Sequence, residues 1–314
     1  DYGSPSIGTY VSFDGGQTWE GPHQVPYLRD DVAAAGDPVV GFDQNGNAYA
    51  IYISVGVEDF AVGPFVFETQ ISSIGLGSSQ DGGVTWKNPV STAKASVSTK
   101  LSLDQFGRSR GSVEVSFLDK PWLAIGPHPE EPSKDVIYLT YTDFTSVVDI
   151  LYIGDVPTFG LSEVLTTIKL VTSTDGGETW TEPINVSPTV RRSSSDVPTA
   201  GEAMAEGLKR IVQGSYPVVS SDGTLYVTWM DSTDDDSQKG DGEIYIARST
   251  NAGTTFTTPV RASAFREPGF RPKTAFFRYW GGAFPRAAVG PNDEVYIVYM
   301  GLSSTKPTDD GDIF

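Results

Sequence analysis

The sequence has no cysteine, which rules out a disulfide framework and any thiolate metal site. Basic residues are few: 22 Lys and Arg stand against 40 Asp and Glu, a formal charge of −18. A chain this acidic is repelled by nucleic acid and by anionic membrane surfaces, so neither is an expected partner. The two histidines, His23 and His128, are far apart in sequence and give no zinc spacing. No run is long and apolar enough to span a bilayer as a helix, so membrane insertion is not expected. No glycine-rich phosphate loop is present. Helical patterning is equally scarce. One segment, Thr199 to Val212, reads as a helix, with Thr199 as the cap and Glu202 three residues on.

Turn formers and strand formers dominate: 34 glycines and 21 prolines, with 16 Phe and 14 Tyr. They fall into a repeat. SFDGGQTW from Ser12, SQDGGVTW from Ser79, STDGGETW from Ser173 and STNAGTTF from Ser249 are four copies of one pattern. Each has an apolar alternating run before it and a proline three residues after its aromatic: Pro22, Pro89, Pro183 and Pro259. That reads as strand, tight turn, strand. The Asp-Gly-Gly core tolerates positive φ, and the carboxylate accepts hydrogen bonds from its own turn. Asn251 keeps an acceptor oxygen in the fourth copy, so that turn is expected to survive. Trp19, Trp86, Trp180 and Phe256 are expected to pack between neighbouring sheets.

A second block alternates with the first. DPVVGFDQNGNAYAIYIS from Asp37, KPWLAIGP and DVIYLTYTD from Lys120, YPVVSSDGTLYVTWMD from Tyr216 and FPRAAVGPNDEVYIVYMG from Phe284 each give a Pro-led strand, a turn and an aromatic, β-branched strand. Together the two blocks make a four-stranded unit, A-B-C-D, repeated radially as an all-β propeller. The expected layout is one domain over 1–314, with a partial first blade at 1–30. Full blades follow at about 37–95, 120–188 and 216–262, and a partial last blade at 284–314. Asp1 is not Met, and the chain is expected to be a piece of a longer protein. The turns around Asp43 to Asn47, Ser221 to Thr224 and Pro291 to Glu294 should share a rim with the Asp-Gly-Gly turns. The opposite rim should carry long loops at about 91–119, 145–165, 188–215, 231–242 and 262–283, and loops of such length usually carry function. Unpaired edge strands at the open ends make self-assembly a further expectation.

The repeated motif, with residues Asp14, Asp81, Asp175 and Asn251 at its second conserved position, is similar to the Asp box, the bacterial neuraminidase repeat. The resemblance runs along most of the chain and implies a sialidase-type β-propeller, six-bladed when complete, of which this chain covers four to five. It does not fix the activity, since the same repeat serves hydrolases, receptors and assembly factors. A sialidase would need three arginines for a carboxylate, a Tyr with a supporting Glu as nucleophile, and an Asp as acid/base. The Phe-Arg-Ile-Pro-like stretch that supplies the family's first arginine is absent. By residue type, the catalytic candidates are Arg286, Arg271, Tyr279, Glu206 and Asp37. Arg29, Lys120, Tyr216, Arg210, Arg278 and Trp280 are candidates for ligand contact, with Asp37, Lys120, Tyr216 and Arg286 at the mouth of the central funnel. The reading favoured by the missing motif is a binding or structural module of an exported or cell-surface protein, with a glycan or a surface protein as partner. The other reading is an exo-sialidase-type glycoside hydrolase whose remaining catalytic residues lie outside this chain. No cofactor is required by either. The run Asp231 to Asp236, with Asp234, continuing to Asp241, reads as a solvated loop or as an oxygen-rich site for Ca²⁺.

Overall fold

The computed structural model describes residues 7–26, 28, 33–193, 211–234, 241–266, 284–302 and 312–314. Among them every regular element is a strand, and every strand pairing is antiparallel. A two-stranded sheet of β1 (Ile7–Val11) and β2 (Glu20–Val25) comes first. A four-stranded sheet follows, with β3 (Ala33–Phe42), β4 (Ala48–Val62), β5 (Phe65–Ser79) and β6 (Val90–Lys94) in sequence order. The third sheet holds β7 (Val97–Leu103), β8 (Ser109–Pro127), β9 (Asp135–Ile153) and β10 (Val156–Ser173). Its outer edge is shared by β11 (Ile184–Asn185) and β12 (Val190–Ser193), both paired with β10. The fourth sheet is β13 (Val212–Val219), β14 (Leu225–Asp234), β15 (Asp241–Ser249) and β16 (Val260–Arg266). Last come the pair β17 (Arg286–Val289) and β18 (Val295–Val298) and the short pair β19 (Met300–Gly301) and β20 (Asp312–Ile313).

The sheets stack face to face as propeller blades. The inner strands of successive sheets, β3, β8, β13 and β17, lie beside one another in turn. The second, third and fourth blades are covered on both faces, so their middle strands are apolar without alternation: Ala48 to Ile53 on β4 are all buried. On β9 the parity of the residue number decides the neighbour. Ile137, Leu139 and Tyr141 pack with Tyr49, Ile51, Ile74 and Leu76 of the second blade. Val136 and Tyr138 pack with Leu225, Val227 and Trp229 of the fourth.

The four repeated turns share one hydrogen-bond pattern. In the third, Ser173 Oγ donates to Asp175 Oδ1 at 2.7 Å and accepts from Gly177 N at 2.9 Å. Asp175 also accepts from Thr179 N at 3.0 Å and Thr179 Oγ1 at 2.5 Å. In the fourth, Asn251 Oδ1 accepts from Ser249 Oγ and Thr255 N, while its Nδ2 donates to Thr255 Oγ1 at 2.9 Å. The second glycine of the second, third and fourth turns sits against the preceding blade. A Cβ on Gly177 would meet Leu76, and one on Gly253 would meet Leu170. The aromatic follows the same rule for Trp86, which donates to Thr9 on β1, and for Trp180 and Phe256, which join the interblade clusters. Trp19 departs from it. It is 63% exposed, because the described residues place no sheet on that side of β1 and β2.

These bonds make the turns acid-sensitive. Thr18 and Ser12 hold the Asp14 carboxyl at about 2, and Thr85 and Ser79 likewise depress Asp81. At Asp175 burial acts the other way, and the bonds from Thr179 and Ser173 outweigh it. A depressed folded pKa stabilises above the ordinary value of 3.8 and loses that contribution as pH falls towards about 2. Urea midpoints followed by circular dichroism should therefore fall between pH 4 and about 2, and Asp175→Asn should flatten that fall. A second prediction concerns Ala252, held at φ 54° where the other copies have glycine. Relief of that left-handed strain outweighs the added chain entropy of glycine, so Ala252→Gly should raise unfolding stability by about 0.5–1 kcal/mol.

The A–B turns share a rim with these boxes. Gln44 N donates to Asp135 of the next blade at 2.6 Å, and the turn at Asp43 and the box at Asp175 line one depression. Asp43 spends its carboxylate on Asn45 N, Asn47 N and Nδ2, and Tyr49 OH, all within its own turn and strand. The opposite rim differs from expectation. Residues 97–103 and 109–119, expected to be loop, are β7 and the first half of β8, and 145–165 is the far end of the β9–β10 hairpin. The third blade therefore runs over 97–193 rather than 120–188. The projecting ends of the second and third blades are packed, not free: Phe60, Val62 and Phe67 meet Val113, Ile150 and Phe159. Alternating apolar residues on both hairpins supply that layer. Of the expected helix, 199–210 lies outside the described residues, and Val212 opens β13.

Candidate functional site

Three of the inner strands, β3, β8 and β13, are broken by a bulge. Register shifts fall between Gly36 and Val39, between Asp119 and Trp122, and between Gln213 and Tyr216. Asp37 and Lys120 both have φ 50° there, and Gly214 has φ 70°. Pro38 and Pro121 follow the first two, at positions where a missing N–H costs no ladder bond. A bulge re-aims side chains, and these turn theirs towards the axis.

The result is a mouth of about 220 Å³ lined by Asp37, Val39, Lys120, Trp122, Ser215 and Arg286, among others. Lys120 Nζ lies 3.0 Å from Asp37 and 3.5 Å from Asp119. Burial works against its ammonium, but Asp119 and Asp37 outweigh it and the pKa is raised. The rings of Trp122 and Tyr216 lie 4.6 Å apart. Arg286 spreads over both, 4.3 Å from the Trp122 centroid and 5.2 Å from that of Tyr216. Behind them Gln213 is buried, donating to Asp119 at 3.1 Å, with no partner for Oε1.

Asp37, Lys120 and Arg286 line this mouth, and Tyr216 stacks beside it against Trp122 under Arg286. Trp122, Asp119 and Gln213 were missed. Lys120-Pro121-Trp122 is aligned with Asp37-Pro38-Val39, so Trp122 was within reach of the repeat. Arg29, Glu202, Glu206, Arg210, Arg271, Arg278, Tyr279 and Trp280 lie outside the described residues, as does Asp236. Asp231 is buried, and Asp234 and Asp241 face each other across the β14–β15 ladder. Among the described residues no group of three or more His, Asp or Glu is arranged to hold a metal ion.

The family described as BNR/Asp-box repeat matches residues 10–20 and 171–182, the first and third of the turns above. The chain carries Asp boxes. The copies at Ser79 and Ser249 make the same bonds without a family match of their own. No curated protein matches the chain significantly. Among solved structures, it is similar to a protein of unknown function from Dyadobacter fermentans, at 16% identity and a TM-score of 0.40, over 93% of this chain and 63% of that one. An alpha-L-arabinanase from Penicillium chrysogenum gives 17% and 0.40, over 84% and 56%. The NanB sialidase of Streptococcus pneumoniae gives 11% and 0.31, over 100% and 63%. The chain spans less than two thirds of the length of each of these structures.

Two Tyr–carboxylate pairs occur in the described part of this Asp-box propeller, and neither lines the mouth. Tyr49 OH donates to Asp43 at 3.1 Å; burial and the Asp43 charge push its pKa up to about 12. Tyr245 OH donates to Glu243 at 2.7 Å, which raises its pKa, while Glu243 is also paired with Arg261. In both pairs the carboxylate keeps the proton on the phenol.

Proposed function

We propose that this chain is a recognition module of an exported or cell-surface protein, which binds a ring-sized sugar group of a glycan at the axial mouth. The observation that carries this is the Trp122–Tyr216–Arg286 stack beside the Asp37–Lys120 pair. Aromatic faces suit the apolar face of a sugar ring, and charged groups at the rim suit its hydroxyls or a carboxylate. A mouth of about 220 Å³ lies below the roughly 300–1,000 Å³ of drug-sized pockets, so it takes one ring rather than a chain. Binding is favoured over hydrolysis because Asp37, the one carboxylate among the described lining residues, is held by Lys120. The strongly acidic chain suits a soluble, exported setting.

A glycan array and fluorogenic glycosides test this together. Saturable binding to sialylated or other glycans, without fluorophore release, is the expected result. Release of fluorophore from a sialoside by the intact protein would establish a hydrolase instead, and the absence of any glycan binding would remove the reading.

A further inference from the structure

The third blade carries a second concave surface, away from the axis. On β9 the even-numbered Val148, Ile150 and Tyr152 join the apolar layer between the projecting hairpins. The odd-numbered Asp143, Thr145, Val147 and Asp149 face a cleft of about 680 Å³. Lys100 on β7 and Arg191 on β12, at opposite edges of the sheet, line that same cleft. The sheet is therefore curled around it.

A sheet face offers a ligand side chains, not backbone. Here it offers hydroxyls and ion pairs. Lys169 lies 2.6 Å from Asp143, Arg191 2.6 Å from Glu163 and Lys100 2.5 Å from Glu114. Thr145 Oγ1 donates to the buried Asp143 at 3.2 Å, and Thr167 and Thr189 bond each other at 2.8 Å. These side chains are already held in place, so a ligand would order little on binding. Every paired carboxylate keeps lone pairs for an incoming hydroxyl.

The charge balance selects the ligand. Four carboxylates face three cations, and each cation is already paired. An anion would meet net repulsion. An apolar side chain would find little beyond Val147 and Leu165, which disfavours a peptide. The volume lies within the range of ligand sites. The geometry points to a second binding site on the third blade, separate from the axial mouth, for a neutral polyhydroxylated chain such as a short neutral oligosaccharide.

Isothermal titration of the purified chain with cellopentaose, maltopentaose, xylopentaose and mannopentaose tests this, with trigalacturonate and an unstructured peptide as competitors. At least one neutral pentasaccharide should bind and neither competitor should displace it. Ser112→Trp, which fills the cleft, and Glu163→Gln, which breaks an exposed pair, should each weaken binding about tenfold or more. Circular dichroism checks that both variants fold. Trp122→Ala separates the two sites, because binding in the cleft persists when the axial stack is gone. Binding that is lost with Trp122→Ala and kept in Ser112→Trp would overturn the cleft and leave the axial site standing. No binding of any neutral pentasaccharide, or displacement by trigalacturonate or the peptide, would also overturn it.

Discussion

Trp229→Ala is expected to cost about 3–5 kcal/mol of unfolding free energy, the usual range for deleting a large buried ring. Trp229 is 1% exposed on the middle strand β14. It stacks on Tyr245 with centroids 6.0 Å apart and planes at 16°, and belongs to the cluster that joins the third and fourth blades. Both faces of that blade are covered, so neighbouring strands cannot collapse into the space without breaking their ladders, and a cavity remains. Trp19→Ala is the matched control. Its ring is exposed, and its removal should shift stability by no more than about 0.5 kcal/mol. Urea unfolding followed by far-ultraviolet circular dichroism reads both. A loss below about 1 kcal/mol for Trp229→Ala would mean that the two blades do not pack as described.

Trp122→Ala should have the largest effect on ligand capture at the mouth, a loss of about 2–4 kcal/mol in binding free energy, as for aromatic hot spots elsewhere. Two contributions vanish together. The ligand loses its stacking platform, and Arg286 loses the ring that orients its guanidinium. Trp122→Phe keeps a face and should recover much of the affinity. Arg286→Lys keeps the charge but not the planar fork, so it should fall between wild type and Trp122→Ala. Titration of whichever array glycan binds best measures all three. Equal affinities across the series would show that the stack is structural only.

The corners of this fold were legible because they are local. Ser173, Asp175, Gly177 and Thr179 bond within four residues of one another, so sequence spacing and geometry coincide. Asp37, Lys120 and Arg286 stand at the start of repeated Pro-led strands, which is why the repeat alone brings them to the same end of neighbouring blades. The left-handed conformation of Asp37 and Lys120 was not legible, since neither residue type demands it. The cleft was missed for a different reason. Residues 97–103 and 145–153 do alternate, but Ser, Thr and charged residues on one face and modest apolar ones on the other look like polar loop until the curl brings both sheet edges together. Gln213 gives no sequence signal at all; its role depends on Asp119, which lies nearly a hundred positions earlier on a different blade.

The self-contained Asp-box turns have a kinetic consequence. A corner whose bonds close over four residues can form on the microsecond scale of an isolated hairpin, without waiting for any distant partner. On a ribosome, the blade that a corner packs against has already been synthesised when the corner closes, so the growing chain adds blades in order, each docking onto a finished neighbour.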